Sequence, residues 1–303
     1  MSDSPSIKAD SKNAAAEKNV PEKNRPVRSI KGLLALPNND NRKIIFVAAS
    51  LCLVCSVLVS VAAIQLRPLQ EKNKMNARKL EILNAAGLLP LPSGENVESF
   101  FSERVNPRIV HLESGEYSDK FDSVNFDDRK IARDPATSSE LGADQDIARI
   151  NRRADYVQVY LIPALQKKDE KKDEKKIKSI VLPVHGYGLW STMYGFLALS
   201  ADTRTITGFT FYEQGETAGL GAEVSNPKWL AQFAGKDAID MNGKPLIRVN
   251  KGPVNPGDKN AHYSVDGISG ATLTSNGVTN LLHFWLDKTG FGPYLKKIRG
   301  QQQ

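Results

Sequence analysis

The chain has 303 residues, 40% of them hydrophobic, which is enough to form one large domain or two small ones. Its net charge of +7 would suit a nucleic acid, but many basic residues lie in an N-terminal tail and in one Lys/Asp/Glu run, and no nucleic-acid module signature is present. These observations exclude a nucleic-acid partner.

The two cysteines, Cys52 and Cys55, have the CxxC spacing that is found in redox and metal sites. Both fall inside an apolar run, where cysteine behaves as a small hydrophobic residue. We therefore predict neither a disulfide nor a cysteine-held metal site, and we identify no other metal ligands.

The N-terminal segment divides into a polar tail and an apolar run. Residues 1–43 are rich in Ser, Asn, Lys, Asp, Glu and Pro, a composition that predicts disorder. Residues 44–66 carry no charge and are long enough to cross a bilayer as one helix. A cleaved signal peptide is the alternative, but the polar region is too long for one and the run exceeds the roughly 7–15 residues of a signal core. Positive charges flank both ends of the run, so charge does not decide its orientation.

A stalk helix and a linker are predicted at residues 67–96. Pro68 is suited to the first turn of a helix, and apolar residues share one face up to Leu89, with Gly87 near the end. The soluble domain is then predicted to cover residues 97–303.

Within this domain, alternating or apolar segments predict several strands. They lie at residues 108–112, 156–162, 179–184 and 205–212. The second and third should pair as a hairpin around the charged run at 167–178, which we interpret as a solvated loop. Helices are predicted near residues 100–101 and at 139–152. The fold class is therefore α+β, with a mixed, mainly antiparallel sheet.

Two glycine-rich segments follow strands. The first, residues 185–195, is either a turn whose aromatic residues fill the core or the wall of a pocket for a planar ligand. Its apolar residues include Tyr187, Leu189 and Trp190. The second, residues 213–221, contains Glu216, either a carboxylate beside such a ligand or an acid at a helix start.

A third segment, residues 266–275, precedes apolar residues at helical spacing. Thr274 and Ser275 are predicted to cap this helix, and Gly290 to follow its end. Thr272 is then expected just before the helix N-terminus, in a loop of small residues with free backbone N–H groups. That geometry suits a phosphate.

Asp266, two spacer residues and the run Ser269-Gly-Ala-Thr272 resemble the acceptor motif that bacterial flavin transferases modify. In that family FMN is joined through its phosphate to the final threonine, here Thr272. With the two glycine-rich segments in the same order, the chain resembles the FMN-binding domain shared by the C-type subunit of the sodium-translocating NADH:quinone reductase and the G-type subunit of the Rnf electron-transport complex. Residues 188–192 are more similar to the C-type subunit, whereas Ala218 departs from a common proline.

The resemblance implies a set of cofactor-binding residues. Thr272 would carry FMN covalently, and the cofactor would be surrounded by Asp266, Ser269, Gly270, Ala271, Leu273, Thr274, Glu216, Thr217, Gly219, Leu220, Gly221, Trp190, Leu189 and Tyr187.

The resemblance also implies a function and a location. The chain would be an electron-transfer subunit of a bacterial inner-membrane complex that couples electron flow to sodium export, with a periplasmic flavin domain and a cytoplasmic tail. Its partners would be the other subunits and a flavin transferase. No GxGxxG follows a strand and opens a helix, so NADH would bind elsewhere in the complex. The alternatives are the G-type subunit of the Rnf complex, a membrane-tethered flavin-binding or sensory module without turnover, and a tethered structural protein.

Overall fold

A computed structural model describes residues 29–124, 126–164 and 176–301. Residues 1–28 of the predicted tail and most of the charged run at 167–178 lie outside the described residues. The chain divides into two compact units, the first ending at Leu69 and the second beginning at Gln70.

The helices lie in the order α1 (Ile30–Leu34), α2 (Asn41–Ala85), α3 (Val97–Arg104), α4 (Asp128–Arg133), α5 (Pro227–Leu230), α6 (Thr272–Leu286) and α7 (Gly292–Gln301). The strands are β1 (Asn106–His111), β2 (Glu116–Tyr117), β3 (Ser138–Glu140), β4 (Arg152–Ala154), β5 (Tyr156–Pro163), β6 (Ile177–Tyr187), β7 (Thr192–Ser200), β8 (Ile206–Glu213), β9 (Arg248–Val249) and β10 (Ser264–Val265).

The first unit contains α1 and the apolar part of α2. The short helix α1 falls within the segment predicted to be disordered; it forms because the Ser29 hydroxyl accepts a hydrogen bond from the Gly32 N–H, 3.1 Å away, and caps its start. Helix α2 is long and apolar enough to cross a membrane, as predicted for residues 44–66. It continues without interruption to Ala85, so Pro68 lies inside the helix rather than at the start of a separate stalk.

The second unit is built on an antiparallel sheet with strand order β2-β1-β5-β6-β7-β8. The predicted hairpin of β5 and β6 is confirmed, with Leu161 opposite Ile180. Two small ribbons, β3–β4 (antiparallel) and β9–β10 (parallel), lie outside this sheet. The helices and the mainly antiparallel sheet confirm the α+β class.

The predicted helix at residues 139–152 is wrong. The segment forms β3, a turn and the start of β4, because the Asp146 carboxylate accepts hydrogen bonds from the N–H groups of Ile150 and Asn151, each 2.8 Å away. An aspartate that bonds nearby backbone in this way stabilises a turn at the expense of a helix. Helices α4, α5 and α7 and the central strand β7 were not predicted.

Helices cover both faces of the sheet. On one face α6 packs its apolar side, including Leu281 and Trp285, against alternate residues of the strands. On the other face the end of α2 contributes Ile82 and Leu83, which pack with Tyr160 among the buried residues of that side. Successive side chains of β5, β6 and β7 therefore point to opposite faces of the sheet and form two apolar layers. Helix α6 packs on one of these layers.

Candidate functional site

Three segments of the second unit meet at one edge of the sheet. Strand β6 ends and β7 begins at the pair Tyr187 and Thr192, which leaves residues 188–191 as a tight turn. Strand β7 also pairs with β8, and there Tyr194 lies opposite Glu213. The loop after β8 therefore leaves the sheet at the same edge. Helix α6 begins beside both. The structure thus brings together the three segments singled out in the sequence.

Glu216 connects these segments through its carboxylate. Oε1 accepts hydrogen bonds from the N–H groups of Trp190 and Ser191, at 3.0 and 3.2 Å, and both oxygens lie within 3.2 Å of the Leu189 N–H. Oε2 accepts a hydrogen bond from the Thr274 hydroxyl at 2.7 Å. One side chain from the loop after β8 therefore fixes both the β6–β7 turn and the first turn of α6.

The hydrogen bonds keep the Glu216 carboxylate ionised. The side chain is buried, and burial favours the neutral acid. The Thr274 hydroxyl and the backbone N–H groups of residues 189–191 outweigh that effect, so the pKa of Glu216 is lowered. A carboxylate with this many donors is an acceptor that positions the loop, and it has no proton to donate at neutral pH.

Two glycines leave the space that the carboxylate occupies. A Cβ atom on Gly188 would lie 2.6 Å from Oε1 of Glu216, and one on Gly221 would lie 2.6 Å from the Thr274 hydroxyl oxygen. Ser191 supports the same junction, because its hydroxyl accepts a hydrogen bond from the Gly215 N–H at 2.7 Å. No local pattern in the sequence indicates this role of Ser191, since its partner is 24 residues away.

Thr272 is the first residue of α6, one position further into the helix than expected, and its side chain is exposed. Ala271 occupies the cap position and no side chain caps the helix. The first N–H groups of a helix have no partner in a preceding turn, so an uncapped start offers donors to an anion. Gly270 precedes it with φ +72°, a conformation that glycine adopts without strain.

The predicted capping roles of Thr274 and Ser275 are wrong. Both lie inside α6 and are buried. Thr274 donates to Glu216, and the Ser275 hydroxyl accepts a long hydrogen bond of 3.4 Å from the Ile268 N–H. They stabilise the site from within and leave Thr272 as the exposed hydroxyl of the first helical turn.

Large apolar side chains from all three segments are exposed around this junction. Trp190 is 66% exposed and Leu273 59%, and a cluster of such residues, unlike a single one, is typical of a ligand or partner site. The other members of this exposed group are Tyr187, Leu189 and Leu220. Leu220 lies beside the loop before α6, since its Cδ2 would be 2.9 Å from a Cβ atom on Gly270.

Of the remaining predicted residues, Asp266 is hydrogen-bonded to residues outside the three segments. Its Oδ1 accepts a hydrogen bond from the Val254 N–H at 2.7 Å, and its carbonyl oxygen accepts one from the Trp229 indole at 2.8 Å. These hydrogen bonds hold the loop before α6 to the segments that contain Val254 and Trp229. Thr217, Gly219 and Ser269 are exposed beside the junction. Apart from the residues next to it in the chain, no atom of the described residues would lie within 4 Å of a Cβ atom on Gly219.

This arrangement suits a phosphate-bearing cofactor with a planar ring. The exposed Thr272 hydroxyl and the uncapped helix start can hold a phosphate. The exposed apolar group, with the open side of Gly219, can cover a ring. The buried ionised carboxylate fixes the distances between these parts.

Comparison with known proteins gives consistent matches. The sequence model of the FMN-binding domain matches residues 188–287. The C-type subunit of the Na(+)-translocating NADH-quinone reductase of Pseudomonas aeruginosa is 46% identical over 256 residues, covering 84% of this chain and 95% of that protein. The protein of the same name from Vibrio campbellii is 44% identical over 267 residues, covering 86% of this chain and 97% of that protein.

Solved structures are similar as well. The crystal structure of Shewanella oneidensis NqrC has a TM-score of 0.66 and 34% sequence identity, covering 76% of this chain and 99% of that one. The structure of the C-type subunit of the Na(+)-translocating NADH-quinone reductase from Parabacteroides distasonis has a TM-score of 0.55 and 29% identity, covering 76% of this chain and 96% of that one.

Proposed function

Because this chain belongs to the family of the C-type subunit of the Na(+)-translocating NADH-quinone reductase, we propose that Thr272 carries FMN covalently and that the chain relays electrons within that membrane complex. It contains an FMN-binding domain at residues 188–287. The alternative of the Rnf complex is set aside, because the Pseudomonas aeruginosa and Vibrio campbellii relatives, which match nearly full-length, are named for the NADH-quinone reductase. The exposed Thr272 hydroxyl at the uncapped start of α6 is the observation that carries the proposal.

The attachment is a phosphodiester between the Thr272 hydroxyl oxygen and the FMN phosphate. It keeps one negative charge, which the N-terminus of a 15-residue helix would stabilise by about 0.3–1 kcal/mol at an exposed position. Ser269, Gly270 and Ala271 are small, so a flavin transferase can approach the hydroxyl. Thr274 cannot compete as acceptor, because it is buried and its proton is donated to Glu216.

The exposed apolar group would cover the isoalloxazine ring. It combines residues of the β6–β7 turn with Leu220 and Leu273, and Glu216 keeps the two sides together. FMN, when bound, supplies the electron-transfer chemistry. The residues of this chain orient the cofactor, limit its contact with water and keep a negative carboxylate close to its site.

The remaining parts of the proposal concern the assembly. Residues 44–66 would anchor the chain in the bacterial inner membrane with residues 97–303 in the periplasm and the tail before residue 44 in the cytoplasm. Electrons would come from NADH oxidised elsewhere in the complex and would leave towards quinone, with sodium export coupled to their flow. The flavin transferase acts during maturation.

The test is electron transfer in the assembled complex. We expect Thr272→Ala to abolish quinone reduction by NADH, while the rest of the complex still oxidises NADH with an artificial acceptor. Ser99→Ala removes an exposed hydroxyl of α3, outside the three segments, and should leave both activities unchanged. Wild-type quinone reduction by the Thr272→Ala complex would contradict the proposal.

A further inference from the structure

A cleft of about 580 Å³ lies in the second unit, between α4, the turn before β4 and the outer ends of β6 and β7. This volume is within the range of pockets that hold cofactor-sized ligands. Tyr187 lines the cleft, but Glu216, Leu220 and Thr272 do not. The cleft is therefore distinct from the site at the start of α6, which it adjoins through Tyr187.

The cleft is strongly basic. Five arginines line it, Arg78, Arg129, Arg133, Arg149 and Arg152, against one lining carboxylate, Asp128. Arginine is the side chain that best matches the oxygens of a phosphate or carboxylate, because its planar guanidinium donates in a fixed fork. The five come from α2, α4, the turn before β4 and β4 itself, so their convergence on one cleft is a property of the tertiary fold.

Some of this positive charge is neutralised within the chain and some is not. Arg78 pairs with Asp128, Arg129 pairs with Glu213 at 2.7 Å, and Arg152 pairs with Glu140 at 3.5 Å. Arg133 and Arg149 are exposed, and no hydrogen bond or ion pair joins either side chain to another residue of the described chain. The cleft thus holds donors that an anion can satisfy.

One wall of the cleft is aromatic. The guanidinium of Arg129 lies 3.8 Å from the centre of the Tyr194 ring, and His185 stacks on the same ring with centroids 5.4 Å apart. Burial and the nearby Arg129 charge lower the pKa of His185 to about 4, so this histidine is neutral. Tyr212 and the exposed Tyr187 also line the cleft, and the buried Trp285 packs against His185. The cleft therefore pairs cationic donors with a surface on which an organic body can lie.

The turn that carries Arg149 has an unusual backbone. Arg149 and Asn151 have φ values of 55° and 61°, in the left-handed region that non-glycine residues rarely adopt. The Asp146 carboxylate holds this turn through its hydrogen bonds to the N–H groups of Ile150 and Asn151. Backbone strain of this kind concentrates at ligand clamps. Here its result is to present Arg149 at the mouth of the cleft.

We propose that this cleft is a second binding site, for an organic phosphate whose charged group contacts Arg133 and Arg149 and whose body lies on the aromatic wall. The phosphate ester can belong to a soluble nucleotide-like molecule or to the headgroup of an anionic lipid. The proposal concerns a site separate from Thr272 and does not depend on covalent FMN.

The test measures binding to the full flavin-loaded chain in phosphatidylcholine nanodiscs by isothermal titration calorimetry. The soluble probes are ADP and inorganic pyrophosphate. The lipid probe is short-chain dihexanoyl phosphatidylglycerol, with dihexanoyl phosphatidylcholine as its neutral counterpart. We expect wild type to bind ADP or the anionic lipid more tightly than pyrophosphate, and the stronger of the two identifies the source of the phosphate.

The double variant Arg133→Gln with Arg149→Gln should weaken this binding at least tenfold, with its flavin spectrum and unfolding temperature unchanged. A control, Lys288→Gln with Lys296→Gln, removes two exposed positive charges away from the cleft and should change affinity less than twofold. Absence of binding at millimolar probe, equal binding by the arginine variant, or equal weakening in the control would overturn the proposal. So would binding that disappears in the assembled complex, because a neighbouring subunit would then fill the cleft.

Discussion

Among single residues, Glu216 determines the geometry of the proposed flavin site. An ionised carboxylate is an acceptor with about four lone-pair positions, and Glu216 uses them for the N–H groups of Leu189, Trp190 and Ser191 and for the Thr274 hydroxyl. An amide of the same shape offers one oxygen and turns its NH₂ group towards donors. The site therefore needs the charge as well as the shape of this side chain.

We expect Glu216→Gln to lower the free energy of unfolding by about 1–3 kcal/mol, the range for a buried donor left without an acceptor. The flavin absorbance should shift, because the turn and the helix start lose their common partner. Glu213→Gln is the matched control: Glu213 is exposed and forms a surface ion pair with Arg129, so its loss should change stability by less than about 1 kcal/mol. Urea unfolding of the three proteins measures the difference.

The free energy of unfolding should depend on pH in a direction that the Glu216 pKa determines. The pKa of Glu216 is lowered from an ordinary value of 4.5, so its contribution to stability is fully present above that value. It is lost as pH falls through the lowered pKa. The stability gap between wild type and Glu216→Gln should therefore be constant above about pH 5 and shrink below it. A gap that stays constant to pH 3 or widens would show that the carboxylate is not stabilised by these donors.

At the scale of elements, the close approach of α6 to the β6–β7 hairpin positions Thr272. Gly277 makes this approach possible: a Cβ atom there would lie 2.7 Å from the Tyr187 carbonyl oxygen and 3.0 Å from Cα of Gly188. One turn earlier, Thr274 is held by Glu216. The helix is thus fixed to the sheet by a close backbone contact and by a hydrogen bond next to its first turn.

We expect Gly277→Ala to push α6 away from the turn and to destabilise the protein by about 1–3 kcal/mol through overpacking. This direction is informative because alanine is otherwise the better helix former by about 1 kcal/mol. Asn280→Ala, on the exposed side of the same helix, should be neutral or slightly stabilising. Thermal unfolding of both variants decides the point, and a stabilised Gly277→Ala protein would contradict the packing described.

The loop after β8 makes a separate prediction. We expect Gly219→Val to weaken or shift the flavin absorbance while the covalent bond persists, because Gly219 faces open space where we place the ring. Valine at φ +73° also strains the backbone. Gly235→Val is a matched control, since Gly235 has φ +80° and equally open surroundings in another loop. An identical spectral effect of the two variants, or none in Gly219→Val, would count against this placement.

The whole molecule combines one apolar helix with an α+β domain. Some elements of the domain could be predicted from the sequence and others could not. Strands such as β5 and β8 are so rich in β-branched and aromatic residues that their positions could be predicted from the sequence. The helix predicted at 139–152 failed because one aspartate, Asp146, turns the chain locally. Thr274 was assigned to the wrong role because its partner, Glu216, is 58 residues away. Patterns along the chain show local preference, whereas long-range hydrogen bonds become visible only in the fold.

Topology is the prediction at this scale. If residues 44–66 span the membrane with the domain in the periplasm, alkaline phosphatase fused after Gln303 should be active, and a cytoplasmic reporter at the same position inactive. The mature protein should also keep its N-terminus. A soluble fragment that begins near Ile64 would mean that the run is a cleaved signal peptide instead.

Covalent flavin at Thr272 is the central claim, and peptide mass after digestion tests it most directly. Protein made with its flavin transferase should carry FMN less one water on the peptide that contains residue 272. Thr272→Ala should lose the adduct and remain folded, because Thr272 is exposed and its loss should change stability far less than the roughly 5–15 kcal/mol of a domain. Thr272→Ser should retain part of it, since a hydroxyl remains. An adduct that persists in Thr272→Ala, or that maps to Thr274 or Ser275 in wild type, would contradict the account.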